Sequence, residues 1–161
     1  MHRYESLGDE PPTFNVARND DAYRDDGAHT IGKHGPDIPL TRDANNQTIE
    51  GRIYGDTGWD RPENQSYRWT DFSTMNRTVR DYVSDNWDSI RSDLAISGAH
   101  EGRFDAGHRV GQGYYNDGMY GVGPRNARYA ETSFVVIRIK VVPGSDPPEP
   151  FIVRTYPAGI L

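Results

Sequence analysis

Five histidines punctuate the chain, at positions 2, 29, 34, 100 and 108, and two of them, His29 and His34, stand close together near its front. Imidazole is the side chain best suited to taking a proton from a hydroxyl and giving it back near neutral pH. In a site that cleaves RNA, that hydroxyl is the ribose 2′-OH, which must lose its proton to attack phosphorus. Zinc ligation fits the pair less well. Five residues correspond to about 140° around a helix, so the two rings do not share a face as i, i+4 ligands do. The chain has no cysteine, which removes thiolate metal sites, disulfides and a cysteine nucleophile together. A histidine taken alone is also an ordinary capping or surface residue, so the pair needs partners.

The partner such a reaction requires is a cation beside the phosphorus, where charge builds on the oxygens. Arginine serves well because its planar fork matches two phosphate oxygens. Arg42, Arg52, Arg138 and Arg154 are the candidates, and spacing alone does not choose among them. At the far end of the chain, Thr155 and Tyr156 place two hydroxyls at the close of a strand, where they could contact phosphate. No Walker, Rossmann or serine-hydrolase motif occurs, and Gly111-Gln112-Gly113 is too short to read as a phosphate loop.

The elements that must position these residues are partly legible. Asp20 to His34 has the makings of a short helix with Asp20 or Asp21 as N-cap, weakened by Gly27 and Gly32 and stopped at Gly35-Pro36. Residues 48–54 alternate well enough for a short strand, and Tyr67 to Thr70 for another. Ser73 to Leu94 carries apolar residues at Met75, Val79, Val83, Ile90 and Leu94, the period of an amphipathic helix, with Asp71 or Ser73 as cap and Gly98 as close. Arg109 to Tyr115 reads as a strand. Thr132 to Val142 is the strongest strand signal, and Phe151 to Tyr156 returns antiparallel after the loop Pro143 to Pro150. Helices first, then a mostly antiparallel sheet, define an α+β domain.

Composition sets the outer bounds. At 161 residues the chain is one domain in size. Leu, Ile, Val and Phe make up only 29 residues, so ten Tyr and three Trp must supply much of the core. No apolar run is long enough to span a membrane, and no signal-peptide pattern opens the sequence. The net charge of −6 at first argues against a nucleic-acid partner. Residues 1–26 hold seven acids and three bases, however, which leaves the remaining 135 residues close to neutral. With Gly8, Pro11-Pro12 and no period, residues 1–26 read as an acidic arm or linker, and 27–161 as the functional domain.

Against this background one resemblance stands out. The segment from Ala28 through His29, Thr30, Ile31, Gly32 and Lys33 to His34 resembles the His-Thr-Ile-x-x-His opening of the bacterial RNase A-like toxin domains, found at the C-termini of contact-dependent inhibition and other polymorphic toxins. Trp69 to Thr74, Arg109 to Gly113 and the closing hairpin ending in Tyr156-Pro157 are similar to that family in order and spacing, over roughly residues 27–158. The resemblance implies an RNase A-like α+β fold without disulfides and metal-independent RNA cleavage with no cofactor. It also implies a monomer with a cognate immunity protein, secreted or delivered into a target-cell cytoplasm as part of a larger protein, with no membrane anchor in this chain. It assigns the histidine to His34, with His29 beside it, and the closing tyrosine to Tyr156. Two departures appear. The family's helical Leu-x-x-Arg is absent, leaving Arg42 as the nearest match and Arg52 as substitute. The family's threonine stands two before the tyrosine, where this chain has Arg154, with Thr155 adjacent. Residues one apart on a strand face opposite ways, so either the strand end shifts or Arg154 takes the phosphate contact. Two other functions fit the sequence: a non-catalytic binding module of a secreted protein, and an NAD-processing or ADP-ribosyl-transferring toxin with Glu131 as its acid.

Overall fold

The computed structural model describes residues 2–118 and 124–159. Among these described residues the architecture is α+β, with six α-helices and two antiparallel three-stranded sheets. In chain order these are α1 (His2–Leu7), α2 (Val16–Ala22), a 3-10 turn (Arg24–Asp26), α3 (Thr30–His34), α4 (Gly51–Tyr54), β1 (Gln65–Trp69), α5 (Phe72–Asp85), α6 (Trp87–Ser97), β2 (Ala99–Asp105), β3 (Gly111–Asn116), β4 (Ala127–Thr132), β5 (Phe134–Val141) and β6 (Pro150–Ala158). One sheet has the order β1-β3-β4 and the other β2-β5-β6.

The core lies on the inner face of the second sheet. Met75, Val79 and Val83 of α5 and Trp87, Ile90 and Leu94 of α6 pack with Val135, Ile137, Ile139 and Ile152. Burying each such side chain contributes about 1.5–3 kcal/mol relative to leaving it exposed. The helical run from residue 73 is two helices and not one. At Asn86 the backbone leaves the helical region, with φ −119° and ψ 17°, while its side chain donates to Tyr82 O. Asp71 caps α5 through Thr74 N at 2.6 Å, and Gly98 closes α6 in the left-handed region at φ 77°.

Several sequence expectations are corrected. Residues 48–54 form a turn and the short α4 because buried Thr48 Oγ1 accepts from Gly51 N and Gly55 turns left-handed at φ 73°. The segment from Asp20 to His34 is split by the 3-10 turn, and Asn15 caps α2. Asp20 instead accepts from Ile31 N at 2.7 Å and so anchors the first turn of α3.

Residues 1–26, read as an arm, carry α1, α2 and the 3-10 turn, and Val16 is fully buried in the core. Buried Arg91 holds α1 by donating to Tyr4 O at 2.7 Å while its guanidinium lies 3.7 Å over the Tyr4 ring. Trp87 Nε1 donates to Gly8 O.

The exposed edge of β6 is what this N-terminal segment covers. A register shift between Arg138 and Ile139 leaves Val153 without a Cα partner on β5, and its carbonyl accepts from His29 N. Asn19, Thr30 and Trp69 complete the edge through Ile152 and Thr155. An unpaired strand edge is thus satisfied by side chains and a helix start.

Candidate active site

Docking α3 end-on to β6 places two histidines beside the close of the last strand. His29 N bonds Val153 O, and Thr30 Oγ1 accepts from Thr155 N at 3.0 Å with both residues buried. One turn later His34 reaches β1, where its Nδ1 lies 2.9 Å from Tyr67 O. A carbonyl only accepts, so Nδ1 carries the proton and Nε2 keeps the lone pair. The His34 ring stacks on Tyr156, with centroids 4.6 Å apart and planes 16° from parallel. On β3, Gly111 makes the convergence possible, since a Cβ there would overlap the Pro157 ring.

His34 is 8% exposed, and burial is the main reason its pKa falls to about 3. The hydrogen bond to Tyr67 O opposes the fall, and the charges of Arg52, His29 and Lys33 add to it. At neutral pH the ring is therefore an uncharged proton acceptor.

His29, Lys33, His34, Arg52, Arg154 and Tyr156 line one open cleft of about 480 Å³. His29, Lys33 and Arg52 also line an adjoining hollow of about 670 Å³ that runs toward Trp59. Arg52 enters from α4, its guanidinium 4.6 Å over the Trp59 ring, and burial lowers its pKa below the ordinary arginine value. Trp59 is fixed by donation from Nε1 to Thr48 O at 2.8 Å. Arg125 staples this loop by donating to Ile53 O and, at 2.7 Å, to Glu63 O.

Three sequence candidates lie elsewhere, and of these Arg138 pairs with Glu101 at 2.8 Å outside the cleft. Thr155 is fully buried, with Oγ1 donating to Val136 O at 3.0 Å, because strand alternation turns it to the face opposite Tyr156. Arg154, on the cleft side, occupies the place that Thr155 was expected to fill. Arg42 stacks 3.8 Å over Tyr54 and donates from Nε to Asp56 at 2.6 Å, which holds its guanidinium outside the cleft.

Among the cleft residues that escaped the sequence argument are Lys33, Glu63, Gln65, Tyr67 and Arg103. Lys33 sits between the two histidines and was available as a signal. Arg103 belongs to β2, a strand too polar to recognise, and Tyr67 acts through its carbonyl, which no side-chain pattern reveals. Glu131, the acid of the NAD-processing alternative, lies on β4 in an ion pair with Arg109 at 2.8 Å.

The arrangement is an open cleft lined by two histidines, by Lys33, Arg52, Arg103 and Arg154, and by Glu63, with the buried His34 ring uncharged at neutral pH. No protein-family model matches the chain, and no curated protein matches it. Among solved structures it is similar to a chain of the CdiA-CT/CdiI complex from Y. kristensenii, at 18% identity and a TM-score of 0.45, over 58% of this chain and 77% of that one.

Proposed function

We propose that the chain is a metal-independent endoribonuclease domain of a polymorphic toxin, acting by attack of a ribose 2′-hydroxyl on the adjacent phosphorus. The observation that carries this is the stacked pair His34 and Tyr156 in a cleft shared with Arg52 and Arg154. His34 Nε2 takes the 2′-hydroxyl proton as the 2′-oxygen bonds to phosphorus. The bond to the 5′-oxygen breaks, and His29 returns a proton to that leaving oxygen, giving a 2′,3′-cyclic phosphate and a free 5′-hydroxyl.

Arg52, Arg154 and Lys33 stabilise charge on the non-bridging oxygens, and Tyr156 positions the phosphate. A bound phosphate also opposes the neighbouring cations and so raises the basicity of His34 when it is needed. The toxin context, the cognate immunity protein and delivery as part of a larger protein rest on the sequence resemblance over residues 27–158. The functional domain is drawn there as 27–161, with α1 and α2 as its N-terminal brace.

The test is incubation of the purified chain with tRNA and total RNA in excess EDTA. The expected products carry 2′,3′-cyclic phosphate ends. Intact RNA, or cleavage that EDTA abolishes, counts against the proposal.

A further inference from the structure

The outer face of the β2-β5-β6 sheet continues the cleft wall, and register fixes what it displays. Arg103, Val136 and Tyr156 form one cross-strand row. Glu101, Arg138 and Arg154 form the next, with Ala99, Lys140 and the buried Phe151 beyond. Rows on one face are about 6.6–6.8 Å apart along the strands. The tyrosine of the cleft thus stands one row from a line of guanidiniums. Arg103 and Arg154 also line the cleft, while Arg138 and Lys140 lie outside it.

The strand acids on this face are Glu101 and Asp105, and just before β6 Glu149 accepts from the Tyr23 hydroxyl at 3.3 Å. Asp105 accepts from Gly107 N at 2.9 Å, away from the arginine row. Glu101 sits between two arginines, with Oε1 2.8 Å from Arg138 and 3.7 Å from Arg154. α5 and α6 pack on the inner face; on the outer one Tyr23 and Ala28 cover Phe151 at the β6 end, and the Arg103 and Arg138 rows lie outside that cluster. A basic sheet face continuous with a phosphate cleft matches one occupant by charge, an extended polyanion.

We propose that this sheet face is a track for single-stranded RNA running out of the cleft, with Arg103, Arg138, Lys140 and Arg154 on its phosphates and Glu101 as a built-in brake on affinity. The proposal rests on the ribonuclease reading for the identity of the polyanion. It adds that flanking nucleotides, and not the scissile dinucleotide alone, set the strength of binding. Glu101 must release both guanidiniums for phosphates to engage them, so neutralising it tightens binding.

The test measures binding of fluorescein-labelled 2′-O-methyl RNA, which cannot be cleaved, as a trimer and as a 12-mer by fluorescence anisotropy. Arg138→Glu is expected to weaken 12-mer binding about tenfold and to flatten its salt dependence by roughly 0.7 in log–log slope, with little effect on the trimer. Glu101→Gln is expected to tighten the 12-mer about two- to fivefold, the scale of an exposed ion pair. Equal effects on both lengths, or none on either, overturn the track, as does a face that serves only a protein partner. Because the probe is not cleaved, an inactive protein that still binds by these rules sinks the ribonuclease reading and leaves the track standing.

Discussion

Asn19 and Ile152, 133 residues apart, exchange two hydrogen bonds: Nδ2 donates to Ile152 O at 2.7 Å, and Ile152 N donates to Oδ1 at 2.8 Å. One amide side chain therefore substitutes for a missing neighbour strand at the edge of β6. It also ties α2 to the strand whose later residues, Arg154 and Tyr156, face the cleft.

Replacing Asn19 with Ala strands a buried N–H and a buried carbonyl. The expected loss is about 2–4 kcal/mol, from roughly 1–3 kcal/mol for each orphaned group less what water recovers. Urea unfolding measures it, and a loss below about 0.5 kcal/mol would show that the α2 contact is not what secures this edge.

His34 makes stability depend on pH. In the folded chain its pKa is about 3, against an ordinary value near 6.5 when unfolded. Above both values the ring is neutral in either state and contributes no pH dependence. As pH falls below about 6.5 the unfolded chain gains a proton that the folded chain refuses, so stability drops until about pH 3. At pH 5 the expected cost is about 2 kcal/mol. His34→Asn removes that titration, so thermal unfolding of the wild type should fall further between pH 7.5 and pH 5 than that of the variant. Parallel curves would refute a buried, neutral imidazole.

The two front arginines separate cleanly. Arg52→Met should lower kcat/KM by about 10²–10³-fold if its guanidinium meets the phosphorane. Arg42→Met should leave cleavage within about threefold, because Arg42 serves Asp56 and Tyr54. A reversed order would return the phosphate role to Arg42.

How far the sequence anticipated this arrangement can be judged residue by residue. That His29, His34 and Tyr156 meet at one cleft was legible from motif order. Phe134–Val141 declared itself by its apolar run. By contrast β2, with Ala99, His100, Glu101, Gly102 and Arg103 in sequence, carries little apolar signal, because its outer face is charged and buried His100 is fixed by Asp93 and Tyr82. Its pairing with β5 is a tertiary fact. The N-terminal segment looked like a linker because its contacts are mostly polar: Asn19, Asp20 and backbone groups bond to distant partners that hydrophobic periodicity does not register. Thr155 was misplaced by adjacency to Tyr156, although alternation along a strand already separates such neighbours.

The acid limb of the pH–rate profile tests the assignment of the base to His34. Since kcat/KM reports the free enzyme's base, a buried His34 acceptor predicts no loss of base function on lowering the pH from 7 toward 4.5. A limb centred near ~6.5 would instead mark a base of ordinary histidine value.

The most direct measurement is kcat/KM for cleavage of a short RNA in EDTA by the wild type and by His34→Asn, with folding of the variant checked by circular dichroism. Loss of the proton acceptor should lower the rate by about 10²–10⁴-fold while leaving the fold intact. A folded His34→Asn protein that cleaves within about threefold of the wild type would contradict the account.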